Sequence, residues 1–472
     1  MKKILLVCLV LLALVFTACG EDETSPGLYD EDNNLIASWD ELVNTYGMKV
    51  DRDYTSTLLK PDKSSPSYVL TNESSLKNGT KLVIGDVTKI GDHSFADCTT
   101  LTTIVIPDGV TSIGTSAFAR CRSLASITIP NSVVLIGKYA FQHCQSLKRI
   151  TIPEGVTTIK EGTFWACNGL TSIKIPKGVT SIGSQAFSEC TSLKNITIPE
   201  GVTSIETLSF AQCTNLKNIT IPNSITTIGE AFYQSPNLVY KIYDNAKYLG
   251  NERNPYLVLV EATDSSILSC NIHPDTKFIY KNAFNNCENL TSITIPDGVT
   301  SIGTRAFFAC KSLTSISIPN SVTLIDYNAF SNCNGLAYNG HIPYLGNERN
   351  PYLVLVEVTD TSITSFNIPS DTKVIYQHAF NDCENLTSIT IPHGVTSIGY
   401  RAFRFCDSLT SVTIPNSVIS IGAEVFIGCN TLTNIKFAGT KAQWEQVSKG
   451  FDWNYGVPAT RVVCSDGTVT IE

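Results

Sequence analysis

From Cys287 to Cys310 the chain reads CENLTSITIPDGVTSIGTRAFFAC. Ile293-Thr294-Ile295 alternates apolar and polar residues, the period of a strand with Ile293 and Ile295 facing inward. Pro296 and Gly298 predict a turn, because proline ends a hydrogen-bonded ladder and glycine takes unusual dihedrals freely. Val299 and Ile302 open a second side. Ala306, Phe307 and Cys310 are spaced for one or two helical turns leading back to the next strand. A unit this short cannot bury its apolar face alone, so neighbours of the same kind must cover it.

The sequence supplies those neighbours. Cys310 lies 23 residues after Cys287, and Cys333 follows by the same step. Cys98, Cys121, Cys144, Cys167, Cys190 and Cys213 keep it, as do Cys383, Cys406 and Cys429, so twelve of the 16 cysteines stand on one ruler. Each has a phenylalanine three residues earlier, from Phe95 to Phe426. A repeat of roughly 20–50 residues is the mark of a solenoid. The expected fold is an α/β solenoid of leucine-rich-repeat type: parallel β-strands, short helical turns, a 23-residue period and two hairpin-containing insertions.

The run L-x-x-I-x-I-P-x-x-V-x-x-I-G-x-x-A-F-x-x-C, recurring from Ile90 to Cys429, resembles the leucine-rich repeats of BspA-like bacterial surface proteins. The resemblance implies a curved, parallel-stranded array displayed at a cell surface, some relatives being adhesins for host proteins. It brings no catalytic residues.

Residues 1–18 have the plan of a signal peptide: Lys2 and Lys3, an apolar run from Ile4 to Phe16, then small residues. Cys19 after Phe16-Thr17-Ala18 resembles a bacterial lipobox, which makes Cys19 the expected lipidation site. Two or more acyl chains there suffice for stable anchoring. Glu21-Asp22-Glu23 resembles the surface-export signal of Bacteroidota lipoproteins, so the expected location is the outer membrane, facing outward. Residues 19–34 are expected to be a flexible tether. Residues 35–80 are an expected N-terminal cap, with Ser38 and Glu41 reading as a capping box for a helix over about 39–46. The array is expected over 81–436 and a C-terminal cap over 437–472. There Trp444 and Trp453 suit a cover for the last coil, with a short helix near 441–447.

The ruler breaks twice, over about 236–270 and 334–366. Ser235 replaces one ladder cysteine, and both breaks contain the nonapeptide YLGNERNPY, at Tyr248–Tyr256 and Tyr344–Tyr352. Each reads as a hairpin with the Gly-Asn-Glu-Arg-Asn-Pro stretch at its turn. The hairpins offer the residue types that anchor interfaces, so Tyr248, Arg253, Tyr256, Tyr344, Arg349 and Tyr352 are the candidate partner-binding residues, with packing of the insert onto its neighbours as the alternative reading of the tyrosines. Along the array the strands present Ser126 and Thr128, Asn195 and Thr197, Asn218 and Thr220, Ser292 and Thr294, Ser315 and Ser317, and Ser388 and Thr390 outward, either a hydroxyl-rich face for protein or glycan or the strand preference of threonine alone.

Catalysis is not expected. The cysteine spacing is wrong for a metal site, and parallel side chains in a ladder disfavour disulfides, which leaves reduced packing residues. A serine in the ladder is expected to cost more than an alanine, by burying a hydroxyl. The histidines lack fixed carboxylate partners, and no phosphate loop or nucleophile motif occurs. No cofactor or metal is expected. A net charge of −8 gives no nucleic-acid signature. The expected function is that of a monomeric surface lipoprotein, touching membrane through its lipid only. It would bind a host or surface protein as an adhesin, or alternatively a glycan for nutrient uptake; a scaffold without ligand is the third possibility.

Overall fold

The computed structural model describes residues 27–29, 35–38, 50–51, 67–68, 81–83, 88–99, 101–336 and 343–471. The chain divides into two compact units, Met1–Val239 and Tyr240–Glu472. The leader, Cys19, the acidic run and the helix expected over 39–46 lie outside the described residues.

In both units most coils carry two short strands, which pair in parallel with their equivalents in neighbouring coils. In the second unit Ser292–Thr294 meets Ser315–Ser317 in register, and Ser301–Ile302 meets Leu324–Ile325. Two ladders therefore run along the array. Ile293, Ile295, Val299, Ile302, Ala306, Phe307 and Cys310 fill the space between them, all buried. The corner needs Gly298 because its φ is +109°, a region closed to side-chain-bearing residues without strain.

The return segment corrects the expected helical turns, and with them the α/β class: the fold is a parallel β-solenoid. Among the described residues α-helix is confined to Lys441–Gln446. Arg305 and Ala309 have φ of 54° and 57°, left-handed positions that an α-helix cannot contain. The N–H groups of Arg305, Phe307 and Ala309 donate to the carbonyls of Tyr327, Ala329 and Ser331 in the next coil, at 3.0, 2.8 and 2.9 Å. Those of Ala306, Phe308 and Cys310 donate three residues back, at 3.1, 3.1 and 3.3 Å. Every second donor thus leaves the segment to hold the neighbour, whereas a helix would keep all of them. The first unit repeats the alternation at Ser116, Phe118 and Arg120.

Equal coils stack equal side chains. Phe95, Phe118, Phe141, Phe164, Phe187 and Phe210 form a column with centroid separations of 5.2, 5.4, 5.6, 5.4 and 5.3 Å. Beside it, each ladder thiol that follows another in its run donates to a phenylalanine carbonyl one coil back: Cys167 Sγ to Phe141 O at 3.1 Å, Cys310 Sγ to Phe284 O at 3.2 Å. All fourteen described cysteines are free. Ser235 shows what a hydroxyl does in this place. Its Oγ donates to Phe210 O at 2.8 Å and accepts from Cys213 N at 3.0 Å, so a hydroxyl buried here finds partners, which argues against the expected extra cost of serine.

The first insertion runs Lys241–Tyr243, Ala246–Leu249 and Val258–Ala262 as an antiparallel meander. Its last strand lies parallel to Phe278–Ile279 and so rejoins the ladder. The second pairs Tyr344–Leu345 with Val354–Leu355, which continues onto Val374–Ile375. Here side chains replace a missing turn: Tyr376 Oη accepts from Phe330 N–H at 3.1 Å, and Gln377 Oε1 accepts from Asn328 N–H at 2.8 Å.

The ends are closed differently. Gly27–Tyr29, inside the stretch expected to be a tether, is a strand antiparallel to Lys81–Val83. At the other end Thr440 and Gln443 cap the helix Lys441–Gln446 reciprocally. Trp444 and Trp453 pack with centroids 5.5 Å apart. Lys449 Nζ donates to Trp444 O and Val447 O at 2.7 and 2.6 Å, closing the helix end. The strand Arg461–Cys464 adds in parallel to Asn434–Phe437, and its antiparallel return, Gly467–Thr470, ends the ladder.

The thiol ladder predicts two outcomes. Cys167→Ala should cost about 1–2 kcal/mol through a small cavity, and Cys167→Ser less than that, because serine keeps the bond to Phe141 O. Chemical denaturation of the two variants decides the order. Burial pushes Cys167 and Cys213 up from 9.0 to about 12. Above pH 9 the unfolded chain loses thiol protons that the folded chain keeps, so the unfolded state gains stability. The denaturation midpoint should stay flat as far as pH 9 and then fall steadily toward pH 12; a flat midpoint over that interval would contradict it.

Candidate interaction surface

The nonapeptide turns are built by their asparagines. Asn347 Oδ1 accepts from the N–H groups of Arg349 and Asn350, each at 3.0 Å, and Asn350 Oδ1 accepts from Tyr352 N–H at 3.2 Å. Asn350 Nδ2 donates to Asp371 O at 2.8 Å, tying the turn to the following coil. Asn251, Asn254 and Asp275 repeat the pattern in the first insertion. Glycine is obligatory at the entry: a Cβ on Gly346 would meet Asn350 O at 2.1 Å, and one on Gly250 would meet Asn254 O at 2.0 Å.

This architecture sorts the six candidate residues. Tyr248 and Tyr344 are 0% and 4% exposed, and they cannot touch a partner. Tyr248 Oη accepts from His273 N–H at 3.2 Å, and burial pushes the Tyr344 phenol up to about 12. Both are core residues, which corrects their assignment to a binding surface: in each hairpin arm this tyrosine faces the stack. Tyr256 is half-buried, stacked on His273 with centroids 3.9 Å apart. Tyr352 is 44% exposed and leans edge-on against Tyr344. Arg253 and Arg349 are exposed, with Glu252 and Glu348 beside them, and no side-chain hydrogen bond or ion pair engages the two arginines among the described residues.

Arg349 does not stand alone. Its turn borders a groove of about 770 Å³ whose floor is the strand face of Ser292, Thr294, Ser315 and Ser317. Asn347, Asp297 and Glu348 add amide and carboxylate groups at the rim. Asn347 Nδ2 donates to Ile318 O at 2.7 Å, which clamps the turn against the strand face. The groove therefore offers hydroxyls, amides and charges of both signs, the means of hydrogen-bonded recognition. Among the described residues no group of three His, Cys, Asp or Glu side chains is placed to hold a metal ion, and no helix is long and apolar enough to cross a membrane.

Another class of exposed or half-buried residues escaped the sequence reading. In I-G-x-x-A-F-x-x-C the x positions form the outer edge of the return segment. In the first unit they bring Tyr139, His143 and Trp165 together, with Trp165 Nε1 donating to Glu189 Oε1 at 3.1 Å. In the second they hold Arg305, Tyr327, Tyr400, Arg401, Arg404 and Phe405. Departures from small polar residues at these variable positions are the signal that could have found them. Trp444 and Trp453, by contrast, are buried.

The family model for the BspA type leucine rich repeat region matches in six copies, over residues 66–190, 157–252, 263–339 and 358–447. A leucine-rich repeat protein from Bacteroides ovatus is 28% identical, with 83% of this chain and 97% of that one covered and a TM-score of 0.34. A leucine rich cell surface protein from Faecalibacterium prausnitzii is 26% identical, with 84% and 97% covered and a TM-score of 0.31. No curated protein matches the chain. Repeat, period, ladders and family model agree, and the chain belongs to the BspA-type leucine-rich-repeat family.

Proposed function

We propose that this protein is a lipid-anchored surface adhesin that binds a host extracellular or cell-surface protein through the groove beside Arg349, with the Arg253 turn as a second contact. Leucine-rich repeats of this family point to a protein-interaction role, and no catalytic family is represented. One observation carries the reading. Two identical turns spend their glycine, asparagines and tyrosines on their own construction, yet each also presents an exposed Glu-Arg pair that the fold does not use. Arginine is among the residues that dominate protein interfaces, and its planar fork suits carboxylates on a partner.

Anchoring rests on the leader and on Cys19 in its lipobox-like setting. The acidic run Glu21-Asp22-Glu23 supports outward display from a bacterial outer membrane. Two equivalent turns suit a multivalent partner, for which a second contact raises avidity by roughly 10²–10⁴ when both can be spanned.

Binding of the purified ectodomain to panels of extracellular-matrix proteins and glycans tests the reading. Arg349→Ala should weaken protein binding by about tenfold or more, and adding Arg253→Ala should nearly abolish it, with melting unchanged. Binding that survives both substitutions would remove the turns from the interface; selective binding to glycans would favour the nutrient-uptake alternative. Separately, Cys19→Ala should abolish fatty-acid labelling and release the protein from membranes. A variant that still labels and sediments with membranes would end the lipoprotein reading.

A further inference from the structure

We propose that the return-segment edge of the second unit is a separate docking surface for an acidic protein segment that carries carboxylates beside apolar side chains. Three arginines there lie over aromatic rings. The Arg305 guanidinium is 5.4 Å from the Phe308 centroid, Arg401 is 4.7 Å from Tyr400, and Arg404 is 4.0 Å from Phe405. Tyr327 meets Tyr400 edge-on at 4.9 Å, which joins coils distant in sequence into one patch. Glu424 N–H donates to Phe451 O at 3.2 Å, which extends the edge to Phe451.

The platform is built. Gly428 has φ of +79°, and a Cβ there would stand 2.1 Å from Phe405 Cδ1, so its absence leaves room for that ring to lie across the next coil. The ring in turn lies under Arg404. A guanidinium held on a ring loses less freedom on binding, and its fork remains free for carboxylate oxygens. The three arginines are not equally available. Arg401 Nε donates to Glu424 at 2.7 Å and is engaged. Arg404 reaches Asn381 Oδ1 at 3.2 Å and Asp382 only at 4.0 Å. Arg305 is exposed and makes no ion pair among the described residues. Arg305 and Arg404 are thus the donors a partner can use.

The aromatic residues decide the kind of partner. Tyr327 is 43% exposed, Phe405 38% and Phe451 78%. A sulfated polysaccharide would satisfy the arginines and leave these rings in water. An acidic segment with aromatic or aliphatic side chains covers both, and large apolar groups exposed together mark such contacts. The surface is independent of the groove beside Arg349, since it shares no residue with it.

The test compares poly(Glu,Tyr) copolymer, poly-glutamate of equal length and heparin as probes on the immobilised full chain. The copolymer should bind about tenfold tighter than poly-glutamate. Arg305→Ala with Arg404→Ala should weaken copolymer binding by about tenfold or more and flatten its salt dependence. Phe405→Ala with Phe451→Ala should remove the copolymer's advantage and leave poly-glutamate binding in place. Equal affinity for the two polymers, heparin as the tightest probe, or binding indifferent to the substitutions would each overturn the proposal. Arg305 and Phe451 are exposed, so Arg305→Ala and Phe451→Ala should melt like the parent. If the Arg404 or Phe405 variant fails to fold, the Arg305 and Phe451 substitutions alone decide between these outcomes.

Discussion

Everything in this protein depends on a main-chain exchange between coils. Each coil gives alternate return-segment N–H groups, and its strand donors, to carbonyls of the adjacent coil, at an offset the repeat length fixes. Strands in a sheet lie about 4.8 Å apart, so a coil can meet its neighbour everywhere only if both trace the same path. That demand forces the 23-residue step on the sequence. It also makes the left-handed positions tolerable: a non-glycine residue in that region costs about 1–2 kcal/mol, and the bonds to the neighbour offset it.

The side-chain columns are consequences of the same demand. Identical paths put Phe above Phe and Cys above Cys, with ring spacings near the coil spacing. The thiol is small enough for the crowded corner and still donates to the phenylalanine carbonyl one coil back. Ser235 stands at the last such coil before the first insertion and makes the stronger version of that bond. The insertions mark where the path is allowed to change. Side chains of Tyr376 and Gln377 then supply acceptors that a following coil would otherwise provide.

Freedom of sequence survives only where the exchange does not reach. The strand face carries hydroxyls because outward strand positions need only β-propensity, and the return-segment edge carries whatever its variable positions dictate. The nonapeptide turns lie between these regimes. Their asparagines and glycine are structural, and the Glu-Arg pair between them is left for solvent or a partner.

The period, the inward isoleucines, the strand pairs and the hairpins were legible in the sequence, because burial at a fixed spacing is a one-dimensional pattern. The family was legible for the same reason. Alternating donors were not: A-F-x-x-C suits a helix by spacing, and only the presence of a neighbour at hydrogen-bond distance makes leaving the helix favourable at Arg305 and Ala309. Nor could the sequence separate Tyr344 from Tyr352, identical in type and both in the hairpin, since which one faces the stack is settled by strand pairing with Leu355. Sequence by itself determined that the chain stacks and with what period. The tertiary structure decided the direction of each donor and each ring, because those depend on a neighbour that lies one coil away in space and about one repeat away along the chain.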